Sequence, residues 1–559
     1  MTYKIIFLSV FIFPLTVISQ QQRRFVAEWE PAWGTLIRWP LGIPSELVVE
    51  LAEDDSLYVM VESNYQRDQA LDAFNAWNVN INHCRFLYAP TYSHWTRDWG
   101  PHYIFNEQGI AGIADPIFNG YPWVPGCPPS GYKPEHSNSI RAGILGWEED
   151  DAVNIALADS FNCPLIALPV YLTGGNIMVD GYQTAISTQQ MLDENFPIAN
   201  EEVFRQMAED SLGISNYIIV NNPEVHGIQH IDCYAKFLDE ETILVKQVDT
   251  WNPEYECCEA LAEHLGNELS CFGNPFNIIR IYCGAYNGTE VAAYTNSLIL
   301  NKKVLVPTFN IASDESALQT YADAMPGYEV IGFDWEGWYY YDALHCRTMG
   351  IFDRKMLRIG HKPLEGEISF SGLPFIKALI DDRSDAGLVE DDLLLHWREQ
   401  GTTFWYTVEF YPMEYPDSFY SFIPYPVIGT TYEYYIAAAD SSGRNETMPR
   451  TAPEKLFSFT VSDLTTQENE YSNLSEFSVQ PTIFTEGVEI TFPGVKEANL
   501  CIWSMNGQLV RKWHYNQIGK AGKIHWDGKS MTGEDCSEGM YLVAFIEKNG
   551  VQVKKIVRK

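Results

Sequence analysis

From about Phe25 to Leu364 the apolar positions fall into short runs set apart by hairpin turns and by amphipathic stretches of helical period. One unit recurs: a polar residue heads an apolar strand, a turn follows, and a second apolar strand returns. Thr96-Arg97-Asp98-Trp99-Gly100 leads into His102–Phe105, turns at Gly109 and returns over Ile110–Ile113. Gly174-Gly175-Asn176 leads into Ile177–Val179, turns at Asp180-Gly181, a hairpin signal, and returns over Thr184–Thr188. His230-Ile231-Asp232 leads into Cys233–Phe237 and then Thr242–Val248. Tyr294-Thr295-Asn296 leads into Ser297–Leu300, Asn301-Lys302 and Val304–Pro307. His345-Cys346-Arg347 leads into Met349–Phe352 and then Met356–Ile359. Helices are predicted between several copies, for example over Ala199–Leu212 and Glu254–Leu269.

Copies spaced by roughly 50–80 residues predict a propeller-like array of αβ blades, with the equivalent strand starts meeting at one end of the axis. Asp98, Asn176, His230, Asp232, Asn296 and Cys346 would then converge. An ordinary α+β fold whose hairpins merely look alike fits the repeat pattern equally well. From about Glu367 to Val461 the pattern changes to strands without helices, such as Leu393–Trp397, Thr403–Phe410 and Thr431–Ala437, the spacing of a small β-sandwich. A polar, acidic stretch over 462–478 reads as a linker. Residues 479–559 read as a further all-β unit ending in a basic strand.

The chain has 559 residues, 37 basic and 74 acidic side chains and a net charge of −37. That balance excludes a nucleic-acid binder, since it repels phosphate and no basic stripe offsets it. A cationic substrate is the partner it favours. The N-terminus, one lysine and then an apolar run over Ile5–Val17 with Ser19 after it, has the form of a secretory signal peptide over residues 1–19. The run is too short to span a membrane, and no later stretch serves as a transmembrane segment. Eleven cysteines is an odd number for an exported chain, so at least one stays out of intrachain pairs. None has zinc spacing, and no metal site is expected. Within the last unit, Cys501 with Cys536 is the most economical pair, and Cys233 reads as a buried thiol.

Cys346 stands between His345 and Arg347, two neighbours whose positive charge would lower its thiol pKa, as a nucleophile requires. His230 and Asp232, two apart on a predicted strand, would share a face. The histidine can move a proton, and the carboxylate can hold a charged group beside it. Asp98 adds a second carboxylate. A thiol, an imidazole and two carboxylates suit a guanidinium, whose N–H groups carboxylates accept bidentately. Each residue also has a plainer reading: Cys346 as a small core residue, His230 as a satisfied core histidine, Asp98 as the partner of Arg97.

Several segments together resemble the bacterial, porphyromonad-type peptidylarginine deiminases of the guanidine-modifying, pentein-fold superfamily. They are Trp95-Thr96-Arg97-Asp98, Thr173-Gly174-Gly175-Asn176, His230-Ile231-Asp232-Cys233, Tyr294-Thr295-Asn296-Ser297 and Ala343-Leu344-His345-Cys346-Arg347-Thr348. Arg38-Trp39-Pro40-Leu41-Gly42-Ile43-Pro44 and Ala324-Met325-Pro326-Gly327-Tyr328-Glu329 extend the likeness, and Glu28-Trp29-Glu30-Pro31 resembles the related agmatine deiminases. The resemblance implies an α+β architecture: a five-bladed αβ propeller (pentein) catalytic domain over 25–364, an immunoglobulin-like β-sandwich over 367–461 and a type IX secretion sorting domain over 479–559. It implies that Cys346 attacks the guanidinium carbon, that Asp98 and Asp232 hold its nitrogens, and that His230 serves as acid and then base. Asn296 would position the nucleophile. Trp95, Asn176 and Tyr341 would complete the substrate site. No cofactor is implied.

One departure bears on substrate choice. The family grips the carboxylate of a C-terminal arginine with two arginines and a tyrosine. The arginine stretch falls at Phe118-Asn119-Gly120-Tyr121-Pro122-Trp123, which has none, and the tyrosine position falls at Gly227. Internal arginines, free arginine derivatives and agmatine thereby become candidate substrates, with Lys133 or Arg141 as possible replacements for the clamp. An aromatic run, Trp338-Tyr339-Tyr340-Tyr341, precedes the nucleophile. The tail implies the type IX secretion machinery as a partner, and a product secreted or attached to the outer-membrane surface.

Overall fold

Five short turns, each heading an apolar strand, organise the first part of the chain: Thr96–Trp99, Gly174–Asn176, Ile231–Cys233, the turn closed by Asn296 N–H on the Ala293 carbonyl at 3.0 Å, and His345–Arg347. In the computed structural model, residues 23–127, 147–196, 199–369, 374–413, 415–424, 426–462, 477–494, 498–504, 509–515, 521–547 and 550–559 are described. The expected signal peptide, nearly all of the expected linker, Lys133 and Arg141 lie outside them.

After each turn the chain enters a sheet built to one plan. His102–Phe105 pairs antiparallel with Ala111–Ile117, which pairs in parallel with Leu165–Tyr171. Met178–Val179, Thr184–Thr188 and Asn216–Val220 repeat the plan. So do Ala235–Phe237, Thr242–Gln247 and Asn277–Tyr282, and then Leu298–Leu300, Lys303–Thr308 and Glu329–Asp334. The parallel step needs a crossover, and helices supply it: Val153–Phe161, Glu201–Met207, Tyr255–Asn267 and Ser313–Ala324. Asn200 caps the second of these by accepting the Val203 N–H at 2.9 Å.

The fifth sheet departs from the sequence reading. Met349–Phe352 pairs antiparallel with Ala32–Arg38, not with the strand that follows it, and Ala32–Arg38 pairs in parallel with Ser56–Val61. A distant strand thus completes the last copy, which local hairpin patterning cannot show. The strand Leu357–Gly360 instead pairs with Phe375–Asp382. The chain accordingly divides after Met356, earlier than the boundary at residue 364.

The second unit, Leu357–Lys559, is all-β among its described residues, apart from one 3-10 turn. A four-stranded sheet from Leu357–Gly360 to Tyr411–Pro412 and a six-stranded sheet containing Thr431–Ala439 share one core, in which Ile376 and Ile380 meet Leu395, Tyr434 and Phe459. Two further sheets, of three and five strands, enclose Val488, Ile502, Trp526 and Val543. A smaller cluster joins the two parts: Tyr420 and Phe422 pack with Cys501 and Trp503. Cys501 is buried there as a free thiol and Cys536 is free elsewhere, so the pair expected from economy does not form. The disulfide joins Cys127 to Cys257. Among the described residues no helix is long and apolar enough to cross a membrane.

Candidate active site

The five turns bring polar side chains from distant parts of the chain against one buried point. Asp98 sits on the turn Thr96–Trp99, where its Oδ1 accepts the Gly175 N–H at 2.9 Å and its Oδ2 accepts the Tyr121 hydroxyl at 2.6 Å. His230 immediately precedes the turn Ile231–Cys233, which carries Asp232, so the pair lies at a 3-10 turn and not along a strand. The two side chains nevertheless border one space. A Cβ added to Gly175 would stand 2.7 Å from Asp98 Oδ1, 2.8 Å from His230 Nδ1 and 3.1 Å from Asp232 Oδ2. The glycine is required by that close approach.

Cys346 lies on the turn His345–Arg347 and is 1% exposed. Its Sγ is 3.7 Å from Asp232 Oδ2 and 3.2 Å from Asn296 Nδ2. Asn296 Oδ1 accepts the N–H groups of His345 and Cys346 at 3.0 and 3.3 Å, so one amide fixes both the backbone and the sulfur of this turn. Arg347 does not face the thiol. It forms a bidentate pair with Asp342 at 2.8 and 2.6 Å and donates to the Gly42 carbonyl at 2.7 Å, tying the segment Arg38–Pro44 to the turn.

His345, in the sequence a neighbour of the nucleophile, has a larger part in the structure. Its Nδ1 is 2.8 Å from Asp232 Oδ2 and its Nε2 is 2.5 Å from Glu28 Oε2. Lys236 Nζ lies 2.9 Å from the other Glu28 oxygen, and Arg97 Nη2 lies 3.3 Å from Oε2. Arg97 therefore pairs with Glu28, not with Asp98. Burial would raise the Glu28 carboxyl, but His345, Lys236 and Arg97 outweigh it and hold it well below the usual range. The chain Asp232–His345–Glu28 fixes the Asp232 carboxylate from behind. In the sequence, only the likeness of the segment Glu28–Pro31 to agmatine deiminases signals it.

The electrostatics differ from what the neighbours of Cys346 suggested. A hydrogen bond from the Cys233 thiol favours the Cys346 thiolate. Burial and the negative charges of Asp232, Asp342 and Asp98 outweigh it and push the thiol up to about 12. Burial, reinforced by Asp232, raises Asp98 well above the usual carboxyl range. Burial lowers His230 to about 4, so its ring is neutral at pH 7. Burial would raise Asp232, yet His345, His230 and Lys236 together bring it below its ordinary value. Two acids and a thiol gathered beside a neutral imidazole at one buried point form a receptor for a cation.

The remaining expected residues divide. Trp95 is half-buried with its ring 4.8 Å from that of Tyr121, beside Asp98. Tyr341 is half-buried 5.3 Å from the ring of Trp123, an exposed aromatic. Asn176 does not offer its oxygen to a substrate. Its Oδ1 accepts Thr188 N–H and Oγ1–H, each at 3.1 Å, and the Ile231 N–H at 3.3 Å, locking two of the turns together. At Gly227 a Cβ would lie 1.9 Å from Glu224 Oε2, so that carboxylate fills the space a larger residue would take. Glu224 is buried, its Oε1 has no partner, and burial raises it to about 7. Tyr121, from the stretch that lacks arginine, reaches Asp98 and lies 5.9 Å from the His230 ring.

A thiol framed by two carboxylates and a neutral imidazole defines the guanidinium-hydrolysing class of enzymes. The sequence profile of the Porphyromonas-type peptidyl-arginine deiminase family matches residues 24–351, and the chain belongs to that family, whose members are hydrolases acting on C–N bonds. A protein of Shewanella baltica named "Putative agmatine deiminase" is 26% identical over 268 residues, 43% of this chain and 67% of its own. The agmatine deiminase of Enterococcus faecalis shares the fold, with a TM-score of 0.50 at 18% identity over 60% of this chain and 96% of its own. A Porphyromonas gingivalis structure titled "Putative Arginine Deiminase" does so with a TM-score of 0.50 at 21% identity, over 60% of this chain and 99% of its own. These neighbours are pentein-fold deiminases.

Proposed function

We propose that the protein is a secreted deiminase that hydrolyses the guanidinium of arginine in peptides or proteins to citrulline and ammonia, without requiring a C-terminal arginine. The convergence of Cys346, Asp98, Asp232 and His230 on one buried point carries this reading. Asp98 and Asp232 hold the guanidinium nitrogens. The bound cation stabilises the Cys346 thiolate, whose proton passes to neutral His230. The thiolate attacks the guanidinium carbon, and His230 returns the proton to the departing nitrogen, which leaves as ammonia. The thiouronium adduct is then attacked by water, His230 accepts the water's proton, and the carbon–sulfur bond breaks to release the ureido product. Asn296 positions the nucleophile, and Trp95 and Tyr341 flank the substrate stem.

The freedom from C-terminal arginine is supported by Glu224, which fills the space beside Gly227 with an acid. An acid there repels a substrate carboxylate. The same carboxylate suits an ammonium group, which favours a small guanidine such as agmatine as the second reading. Five sheets of one plan support the propeller arrangement of the catalytic domain, and the shared core of the two sheets after Met356 supports an immunoglobulin-like sandwich. The basic final strand supports a sorting role for residues 479–559 and passage through the type IX secretion machinery to the exterior or the outer-membrane surface. The Cys127–Cys257 disulfide suits an oxidising compartment. The test is to incubate the protein with agmatine, free arginine, a peptide ending in arginine and its amidated form, and a peptide with internal arginine. Turnover of amidated and internal arginine at rates near or above those of the free C-terminal form is expected. Release of neither ammonia nor a ureido product from any of them would refute the proposal.

A further inference from the structure

Cys233 takes no bond-making or proton-transfer step in that reaction, yet its sulfur stands beside the nucleophile. Cys233 Sγ lies 3.5 Å from Asp232 Oδ1, and Cys346 Sγ lies 3.7 Å from Asp232 Oδ2. Asn296 Nδ2 reaches both sulfurs, at 3.6 and 3.2 Å. One donor atom from each of Asp232, Cys233 and Cys346 falls within 4.8 Å of the others, and all three residues are buried. A tetrahedral Zn2+, about 2.3 Å from sulfur and about 2.0–2.2 Å from oxygen, separates its ligand atoms by roughly 3.5–3.8 Å. Each sulfur already stands at about that distance from one oxygen of the Asp232 carboxylate, Cys233 from Oδ1 and Cys346 from Oδ2, so a turn of that carboxylate and small side-chain adjustments can close the site around an ion. The donors come from two separate turns, which is why no zinc spacing marks them in the sequence.

We propose that Asp232, Cys233 and Cys346 form a binding site for a thiophilic divalent cation such as Zn2+, and that the ion and the guanidinium exclude one another. Two sulfurs and one carboxylate are a soft set that favours Zn2+ or Cd2+ over Mg2+ and Ca2+. Water completes the coordination. Binding displaces the protons of both thiols to solvent, so affinity rises with pH. The same Asp232 oxygens and Cys346 sulfur would serve the guanidinium, and these atoms cannot hold both cations at once. The inhibitory consequence rests on the function proposed above, whereas the binding itself does not.

The test begins with Co2+ as the probe, added to the full-length protein. One equivalent is expected to give sulfur-to-metal charge-transfer absorption in the near ultraviolet and tetrahedral bands in the visible, all bleached by Zn2+. Cys233→Ser and Cys346→Ser should each lose about half of the charge-transfer intensity. Zinc X-ray absorption of the unmodified protein should show two sulfur neighbours at about 2.3 Å, a readout that does not depend on any variant folding. In the turnover assay Zn2+ should compete with the guanidine substrate, and Cys233→Ser should raise the inhibitory concentration at least tenfold. A zinc spectrum without sulfur neighbours, or charge-transfer bands unchanged in both variants, would overturn the site. Should the protein turn over none of the guanidines, the two spectra still decide whether the cation binds there.

Discussion

At the scale of single residues, the substrate-free site keeps its nucleophile protonated. Burial and three carboxylates outweigh the Cys233 hydrogen bond and push Cys346 up to about 12. The thiolate is the reactive form, and its fraction grows about tenfold per pH unit below the pKa. Inactivation of the free protein by iodoacetamide should therefore accelerate about tenfold per unit from pH 6 to 10, whereas a plateau beginning near neutrality would mean a thiol already ionised. The second residue-scale expectation concerns Glu28, which touches no substrate in this account and acts through His345. Glu28→Gln keeps the shape but removes the charge that Lys236, Arg97 and His345 share. Loosening the Asp232 carboxylate in this way should lower kcat/KM about a hundredfold, with a raised KM showing that the guanidinium is held less well. Kinetics like those of the parent would remove Glu28 from the positioning chain.

At the scale of elements, the leading turns do the work that the sequence pattern assigned to strand starts. Much of this was legible: His102–Phe105, Thr184–Thr188 and Met349–Phe352 lie where alternation and turn residues put them. What local patterning could not carry was non-local pairing. The partner of Met349–Phe352 comes from Ala32–Arg38, and the Cys127–Cys257 bond closes a separation of 130 residues. The site followed the same rule. Cys346, His230, Asp232 and Asp98 were readable as residue types at equivalent points of a repeat. Glu28 and Tyr121 enter through contacts made only after folding, and Asn176 proved to serve two neighbouring turns. The glycine pair of the second turn separates structure from chemistry. A Cβ at Gly174 would meet the Arg97 carbonyl oxygen at 2.0 Å, so Gly174→Ala should destabilise the fold, whereas at Gly175 it meets site side chains. Gly175→Ala should keep the circular-dichroism spectrum and lower the unfolding midpoint less than Gly174→Ala does, while kcat/KM falls at least a hundredfold. Near-parent activity in that variant would mean that the space beside Asp98 and His230 is not where substrate sits.

For the whole molecule, the charge of −37 has a place in the account: it favours approach of a cation, and the buried acids of the first unit receive it. The second unit, all-β apart from one short turn among its described residues, lies outside the family match. A guanidinium carbon is bonded to one sulfur among the nine cysteines outside the disulfide, and this is what most needs testing. Acid quenching during steady turnover, followed by peptide mass analysis, tests it most directly. The peptide holding Cys346 should carry the thiouronium mass, lost when turnover is complete and absent in Cys346→Ala, which should be folded and inactive. Turnover with that peptide unmodified throughout, or the adduct on another cysteine, would contradict the account.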